Sequence, residues 1–168
     1  SAIITISNQK GGVGKTTTCA ALASGLHLAG HIVLGIDLDP QGNLGFCLGA
    51  AEHPWTVLDL LNGSVSAAEA VCPGEFCDLL LSDITLSSWA SKSGGSESVL
   101  RDAIHPLTDR YDYIVIDTPP ALNLLTVNAY TASNYLIIPM ASDILSLVGL
   151  SQLRETIESV RSSLNPSL

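Results

Sequence analysis

Charge is scarce in this chain of 168 residues: only 14% of them are Asp, Glu, Lys or Arg, against 46% hydrophobic. That ratio excludes an intrinsically disordered chain and leaves enough apolar surface for a sizeable core. Bases are scarcer still, 7 against 16 acids, for a formal charge of -9. Lys10 and Lys15 fall in one glycine-rich stretch, which leaves Lys92, Arg101, Arg110, Arg154 and Arg161 scattered along the chain. Non-specific DNA binding draws on several clustered Lys/Arg–phosphate contacts, so composition argues against a DNA-binding face. No apolar run approaches the roughly 18 residues that a membrane-spanning helix needs. The start, Ser-Ala-Ile-Ile-Thr-Ile-Ser-Asn, lacks the basic n-region and apolar h-region of a signal peptide, so a cytoplasmic location is expected. Cys19, Cys47, Cys72 and Cys77 form no C-x-x-C pair and read as buried, reduced thiols. The histidines show no metal-ligand spacing.

What is present is an alternation of strand and helix signals. Ala2–Ser7 is a β-branched run, and Thr16 to about Ala29 is helical, with Cys19, Leu22, Ala23 and Leu26 on one face and Gly30 as its stop. His31–Ile36 is a second strand leading into the turn-rich Asp37–Asn43. Thr56–Gly63 reads as a short helix, and Ser66 with Glu69 has capping-box spacing. A strand is expected over Cys77–Leu81, a Ser/Gly-rich loop over 87–96, and a helix over 97–107 kinked by Pro106. Tyr113–Asp117 is a continuous apolar run ending in a carboxylate, as in a strand covered on both faces. Leu122–Ala132 reads as helix and Tyr135–Ile138 as a further buried strand. A last helix starts near Asp143 as N-cap, carries Leu150, Leu153, Ile157, Val160 and Leu164 on one face, and stops at Pro166. The pattern predicts one α/β domain over 1–168, a mainly parallel sheet flanked by helices in three layers. Trp55 and Trp89 are expected to pack against loops.

The stretch between the first strand and helix is Lys10-Gly11-Gly12-Val13-Gly14-Lys15-Thr16-Thr17-Thr18. It matches the P-loop pattern G-x-x-x-x-G-K-[ST] except that Gln9 stands at the first glycine. Glycines let successive N–H groups turn toward phosphate oxygens, and the helix start adds partial positive charge. Gly11, Gly12, Val13, Gly14, Lys15, Thr16 and Thr17 are therefore the candidate phosphate cradle, with Lys15 on the β- and γ-phosphates and Thr16 on Mg²⁺. Asp37 and Asp39 close the second strand, where ligands of open α/β sheets bind. Pro40 holds Asp39 extended. Asp117, at the tip of the apolar run and followed by Thr118-Pro119-Pro120, has the Walker B arrangement and is a candidate Mg²⁺ residue. The proline pair stiffens a connection suited to a phosphate-sensing switch.

Lys10 is not needed to build a P-loop. With it, the string resembles the deviant Walker A motif of the ParA/MinD family of P-loop ATPases, and Asp-Leu-Asp-Pro-Gln-Gly-Asn resembles the second motif of the partitioning ATPases. Thr5–Thr18, Asp37–Asn43, Thr56–Gly63, Tyr111–Pro120 and Ile137–Leu153, including Gly149-Leu150-Ser151-Gln152-Leu153, are similar to the chromosome-partitioning (ParA/Soj) branch. The resemblance implies ATP and Mg²⁺ as ligands, with hydrolysis to ADP and phosphate. It assigns Lys10 to the nucleotide of a second protomer, Asp39 to orienting the attacking water, and Asp37 and Asp117 with Thr16 to the metal's surroundings. It also implies an ATP-dependent homodimer, a stimulating partner of the ParB type and a role in chromosome or plasmid partitioning. Non-specific DNA binding is a family property that these bases support weakly. Family members continue further, so C-terminal strands, adenine contacts and DNA contacts are expected to be missing. A membrane-localised MinD-type role needs a basic tail, and 162–168 has no base. Two alternatives stay open: Lys10 paired with a carboxylate of its own chain, and a non-catalytic, nucleotide-dependent binding or regulatory module.

Overall fold

The computed structural model describes residues 1–91 and 96–168. Its strands are β1 (Ala2–Ile6), β2 (Val33–Asp37), β3 (Asp78–Leu80), β4 (Tyr113–Asp117) and β5 (Tyr135–Ile137), joined in one sheet in the order β3-β2-β4-β1-β5. The pairings between these strands are all parallel, as the continuous apolar strands require, and Cys72 adds an antiparallel bridge to Leu79 of β3. Ile114, Val115 and Ile116 of β4 are fully buried, each contributing about 1.5–3 kcal/mol relative to exposure. Their alternation divides the core: Ile114 and Ile116 join one hydrophobic cluster, Val115 the other.

One face is covered by α1 (Lys15–Leu28) and α2 (Asn43–Cys47), through Cys19, Ala23, Leu44 and Leu48. The other carries α3 (Val57–Leu61), α4 (Ala67–Ala70), α5 (Leu86–Ala90), α6 (Val99–Ile104), α7 (Leu124–Ala132) and α8 (Ile144–Ser163). The three-layer α/β fold is therefore as expected. The connection from β1 leads past β4 to β2, while the one from β4 leads to β5 on the far side of β1. The two loops diverge and leave a crevice beyond the carboxyl ends of β1 and β4, where such sheets bind ligands.

Local expectations hold where the side chains themselves cap. Ser66 accepts from Glu69 N while the Glu69 carboxylate accepts from Ser66 N, starting α4. Asp143 caps α8, and Leu153 and Val160 are buried on the anticipated face. The helix expected over 97–107 is α6 followed by a 3-10 turn, His105–Leu107, at Pro106, which has no N–H to continue the ladder.

Elsewhere the structure corrects the sequence. Part of the Ser/Gly-rich loop is helix α5, whose Leu86 and Trp89, one turn apart, are buried in the larger core; residues 92–95 lie outside those described. Helix α2 follows the turn expected over Asp37–Asn43, on residues for which the sequence suggested no element, because Leu44 and Leu48 drop into the smaller cluster. Its Cys47 faces solvent, unlike Cys19, Cys72 and Cys77. Trp55 is partly exposed. Strand β5 is not a covered strand: Tyr135 is 62% and Ile137 38% exposed. Among the described residues it pairs with β1 alone, at the sheet edge.

Candidate functional site

The crevice is floored by the loop after β1. Gly12 and Gly14 have φ of 73° and 83°, left-handed values that a residue with a Cβ adopts only with strain. They turn the chain so that α1 starts at Lys15, with Thr18 N donating to Gly14 O. A Cβ on Gly11 would meet no atom within 4 Å, so the loop surface there lies open. Gly11, Gly12, Gly14, Lys15, Thr16, Thr17, Asp39, Asn43 and Pro120 line one depression. Val13 is half-buried between its glycines.

Lys15 is buried at 7% exposure. Its Nζ donates to Lys10 O at 3.4 Å, and among the described residues no carboxylate forms an ion pair with it. A buried ammonium without a counterion is costly. This cradle therefore suits an anion.

Thr16 Oγ1 donates to Asp117 Oδ2 at 2.6 Å, which joins the start of α1 to the tip of β4. Asp117 is fully buried, and its Oδ1 has no hydrogen-bond partner among the described residues. Burial pushes its carboxyl up to about 6, against the opposing Thr16 hydrogen bond. Asp37 is its register partner on β2. Burial first, and then the charge of Asp117, push Asp37 up to about 8, although the N–H groups of Asp39 and Leu44 donate to its carboxylate. A hydroxyl, an orphaned carboxylate oxygen and a second buried carboxylate form an oxygen-rich donor set short of positive charge, which fits a hard divalent cation. Thr118 Oγ1 donates to Ile6 O and ties the ends of β4 and β1 together beneath the site.

Asp39 lies on the rim, half-buried, with Gln41 N donating to its Oδ1 at 3.0 Å. It faces the same depression as the loop. Lys10 is the member that is not gathered in. Its ammonium is turned to Asp143 Oδ2, 2.6 Å away at the start of α8. The cis pairing left open above is thus what this structure contains.

Several site residues escaped the sequence reading. Asn8 accepts from Lys10 N and donates to Pro139 O, bracing the loop against the segment after β5. Gln9 Nε2 donates to Gly149 O and to Gln152 Oε1, both at 3.0 Å. Asn43, the first residue of α2, also lines the depression. No local signal marks these contacts, since their partners lie more than a hundred residues away in the chain for Asn8 with Pro139 and for Gln9.

Comparisons agree with this geometry. The family described as AAA domain matches residues 1–168. The chromosome partitioning protein ParA of Caulobacter vibrioides is 41% identical over 175 residues, covering 99% of this chain and 66% of the relative. The sporulation initiation inhibitor protein Soj of Bacillus subtilis is 39% identical over 173 residues, covering 99% and 68%. This chain spans about 66% of the length of the first curated relatives it matches. Among solved structures, cobyrinic acid a,c-diamide synthase from Mycobacterium smegmatis, with bound ATP analog and magnesium, superposes with a TM-score of 0.92 at 36% identity, over 100% of this chain and 71% of that one. A plasmid partition protein from Borrelia burgdorferi has a TM-score of 0.85 at 29% identity, over 95% and 74%. Loop, buried carboxylates and relatives agree: the chain belongs to the AAA-domain family of P-loop proteins and, within it, to the ParA/Soj group.

Proposed function

We propose that residues 1–168 form one nucleotide-binding unit of a ParA-type ATPase acting in chromosome or plasmid partitioning. The observation that carries this reading is the Thr16–Asp117 contact with its orphaned Oδ1, set beside a buried, unpaired Lys15. These are complementary halves of a site for a metal-bound polyphosphate. The N–H groups of 11–17 and Lys15 would hold the phosphates of ATP, and Thr16, Asp117 and Asp37 the region of Mg²⁺. The metal, when bound, supplies charge neutralisation for phosphoryl transfer. Asp39, on the rim, orients the attacking water. The solved relatives with bound ATP analog, ADP and magnesium support both ligands.

Nucleotide binding joins two protomers and hydrolysis parts them, each Lys10 completing the other's site and a ParB-type partner stimulating turnover. The surface beside Lys10 is suited to association with a second copy. Ile144, Leu145, Leu147 and Val148 of α8 are each more than 60% exposed and adjoin Asp143, a patch that soluble monomers rarely expose. No helix of the described residues is long and apolar enough to cross a membrane. DNA contact is left out of the proposal, since Arg101, Arg110, Arg154 and Arg161 form no cluster in the sequence.

One observation favours the non-catalytic alternative: Lys10 is engaged within its own chain. Turnover separates the two readings. The pure protein with ATP and Mg²⁺ should release phosphate, and Asp39→Ala should bind ATP while hydrolysing it about 10²–10⁴-fold more slowly, the usual cost of one positioning or acid–base group. Absence of turnover favours the binding module; wild-type turnover in Asp39→Ala removes Asp39 from the catalytic role.

A further inference from the structure

The pairing of Lys10 with Asp143 has a geometry of its own. Asp143 divides its carboxylate between two tasks: Oδ1 accepts from Ser146 N at 2.7 Å as the N-cap of α8, and Oδ2 accepts from Lys10 Nζ at 2.6 Å. The hydrogen bond from Lys10, with the cap, holds this carboxyl down at about 2, so it is ionised at any working pH. The contact is not isolated. Gln9 Nε2 reaches Gly149 O and Gln152 Oε1, about 1.7 and 2.5 turns further along the same helix. The Gln9–Lys10 segment is therefore fastened to α8, while Lys10 O faces the other way and accepts from Lys15 Nζ. Both partners of the ion pair remain partly solvated, at 36% and 44% side-chain exposure.

We infer that Asp143 is a positioning residue for Lys10, a latch that keeps the Lys10 ammonium on its own α8 until the phosphates of a second protomer's nucleotide draw it away. The inference rests on the ATP-dependent dimer proposed above. Its magnitude suits a latch. A solvated ion pair shifts an equilibrium by up to about fivefold, enough to set the resting rotamer and too little to outweigh a polyphosphate with several charges. Two latches open per dimer, so their joint effect on dimerisation is up to about 25-fold. The apolar first turns of α8 start at Ile144, next to the latch. A second copy that covers this face arrives where the pair must open.

Asp143→Asn separates the two tasks of this residue, because Asn caps helices about as well as Asp but carries no charge for Lys10. The test is made in the Asp39→Ala background with ATP and Mg²⁺, by sedimentation across a protein dilution series. Asp143→Asn should tighten ATP-dependent dimerisation, by up to about 25-fold, and the residual association of Lys10→Ala should not respond to Asp143→Asn. Reductive methylation followed by peptide mass spectrometry gives a second readout that needs no dimer: Lys10 in nucleotide-free protein should label faster in Asp143→Asn than in the parent. Equal labelling overturns the latch, as does weaker or unchanged dimerisation, or a gain that persists without Lys10. If the Asp39→Ala parent itself shows no ATP-dependent dimer, the functional reading fails first and the latch falls with it.

Discussion

Asp37 and Asp117 are register partners at the carboxyl ends of adjacent parallel strands, both buried, both pushed upward in pKa by that burial. Nothing in a self-sufficient core calls for two carboxylates there. The pairing makes the empty-handed protein acid-loving. Between about 4 and 8 the folded chain holds a proton on Asp37 that the unfolded chain, titrating near 3.8, has released. Stability therefore falls as pH rises through that window. Asp117 adds to the fall only up to about 6. In chelator and without nucleotide, the melting temperature should be higher at pH 5 than at pH 8. Asp37→Asn should flatten the part between 6 and 8. A wild-type profile that is level across this range, or an Asn variant with the same slope, contradicts the coupling.

Lys15 gives the reciprocal prediction. Its ammonium is buried without an ion-pair partner among the described residues, which costs stability until an anion arrives. Lys15→Ala should abolish ATP binding by calorimetry in Mg²⁺. The same change should move the nucleotide-free melting temperature little, because the cost of the buried ammonium is offset by its attraction to the Asp117 carboxyl. Retained affinity sinks the assignment of the phosphate cradle; a large loss of apo stability would mean that Lys15 is structural.

How much of this was legible in the sequence depends on how local the cause is. The loop 10–16, the Asp117 strand end and the caps at Ser66 and Asp143 are local patterns, and the structure keeps them. Helix α5 was not legible, because its two serines lie at the edge of a Ser/Gly-rich stretch and its five residues are held by burial of Leu86 and Trp89 against residues distant in the chain. The same holds for the exposed β5, whose apolar sequence matches a central strand and whose place at the edge follows from strand order. The site divides in the same way: Lys15 with Thr16 could be read, while Lys10 with Asp143 spans 133 residues.

That account makes a prediction about α5. Trp89 is 5% exposed in the larger cluster. Trp89→Ala should cost about 3–5 kcal/mol, as large-to-small aromatic changes in cores do, measured by urea denaturation. Because α5 lies on the face opposite α1, ATP affinity measured well below the transition should change little. A cost under about 1 kcal/mol would place Trp89 among ordinary surface positions.

Lys10 separates the two readings of this site. A simple phosphate cradle needs Lys15, Thr16 and the loop N–H groups, and none of these is supported by the Lys10 side chain, which is turned to Asp143. Lys10→Ala should therefore keep substantial nucleotide binding by the single protomer. If the second protomer's site is completed in trans, the same change should remove both ATP-dependent dimerisation and hydrolysis. The exposed apolar residues of α8 and the uncovered edge of β5 introduce a competing effect, since such surfaces self-associate without any nucleotide. A dimer by itself is then no support. Sedimentation of Asp39→Ala with and without ATP, beside the Asp39→Ala/Lys10→Ala double variant, isolates the part of association that requires both ATP and Lys10. Association equal in all these conditions would assign it to the apolar face, leave Lys10 bound to its own helix, and reduce the chain to a nucleotide-binding module.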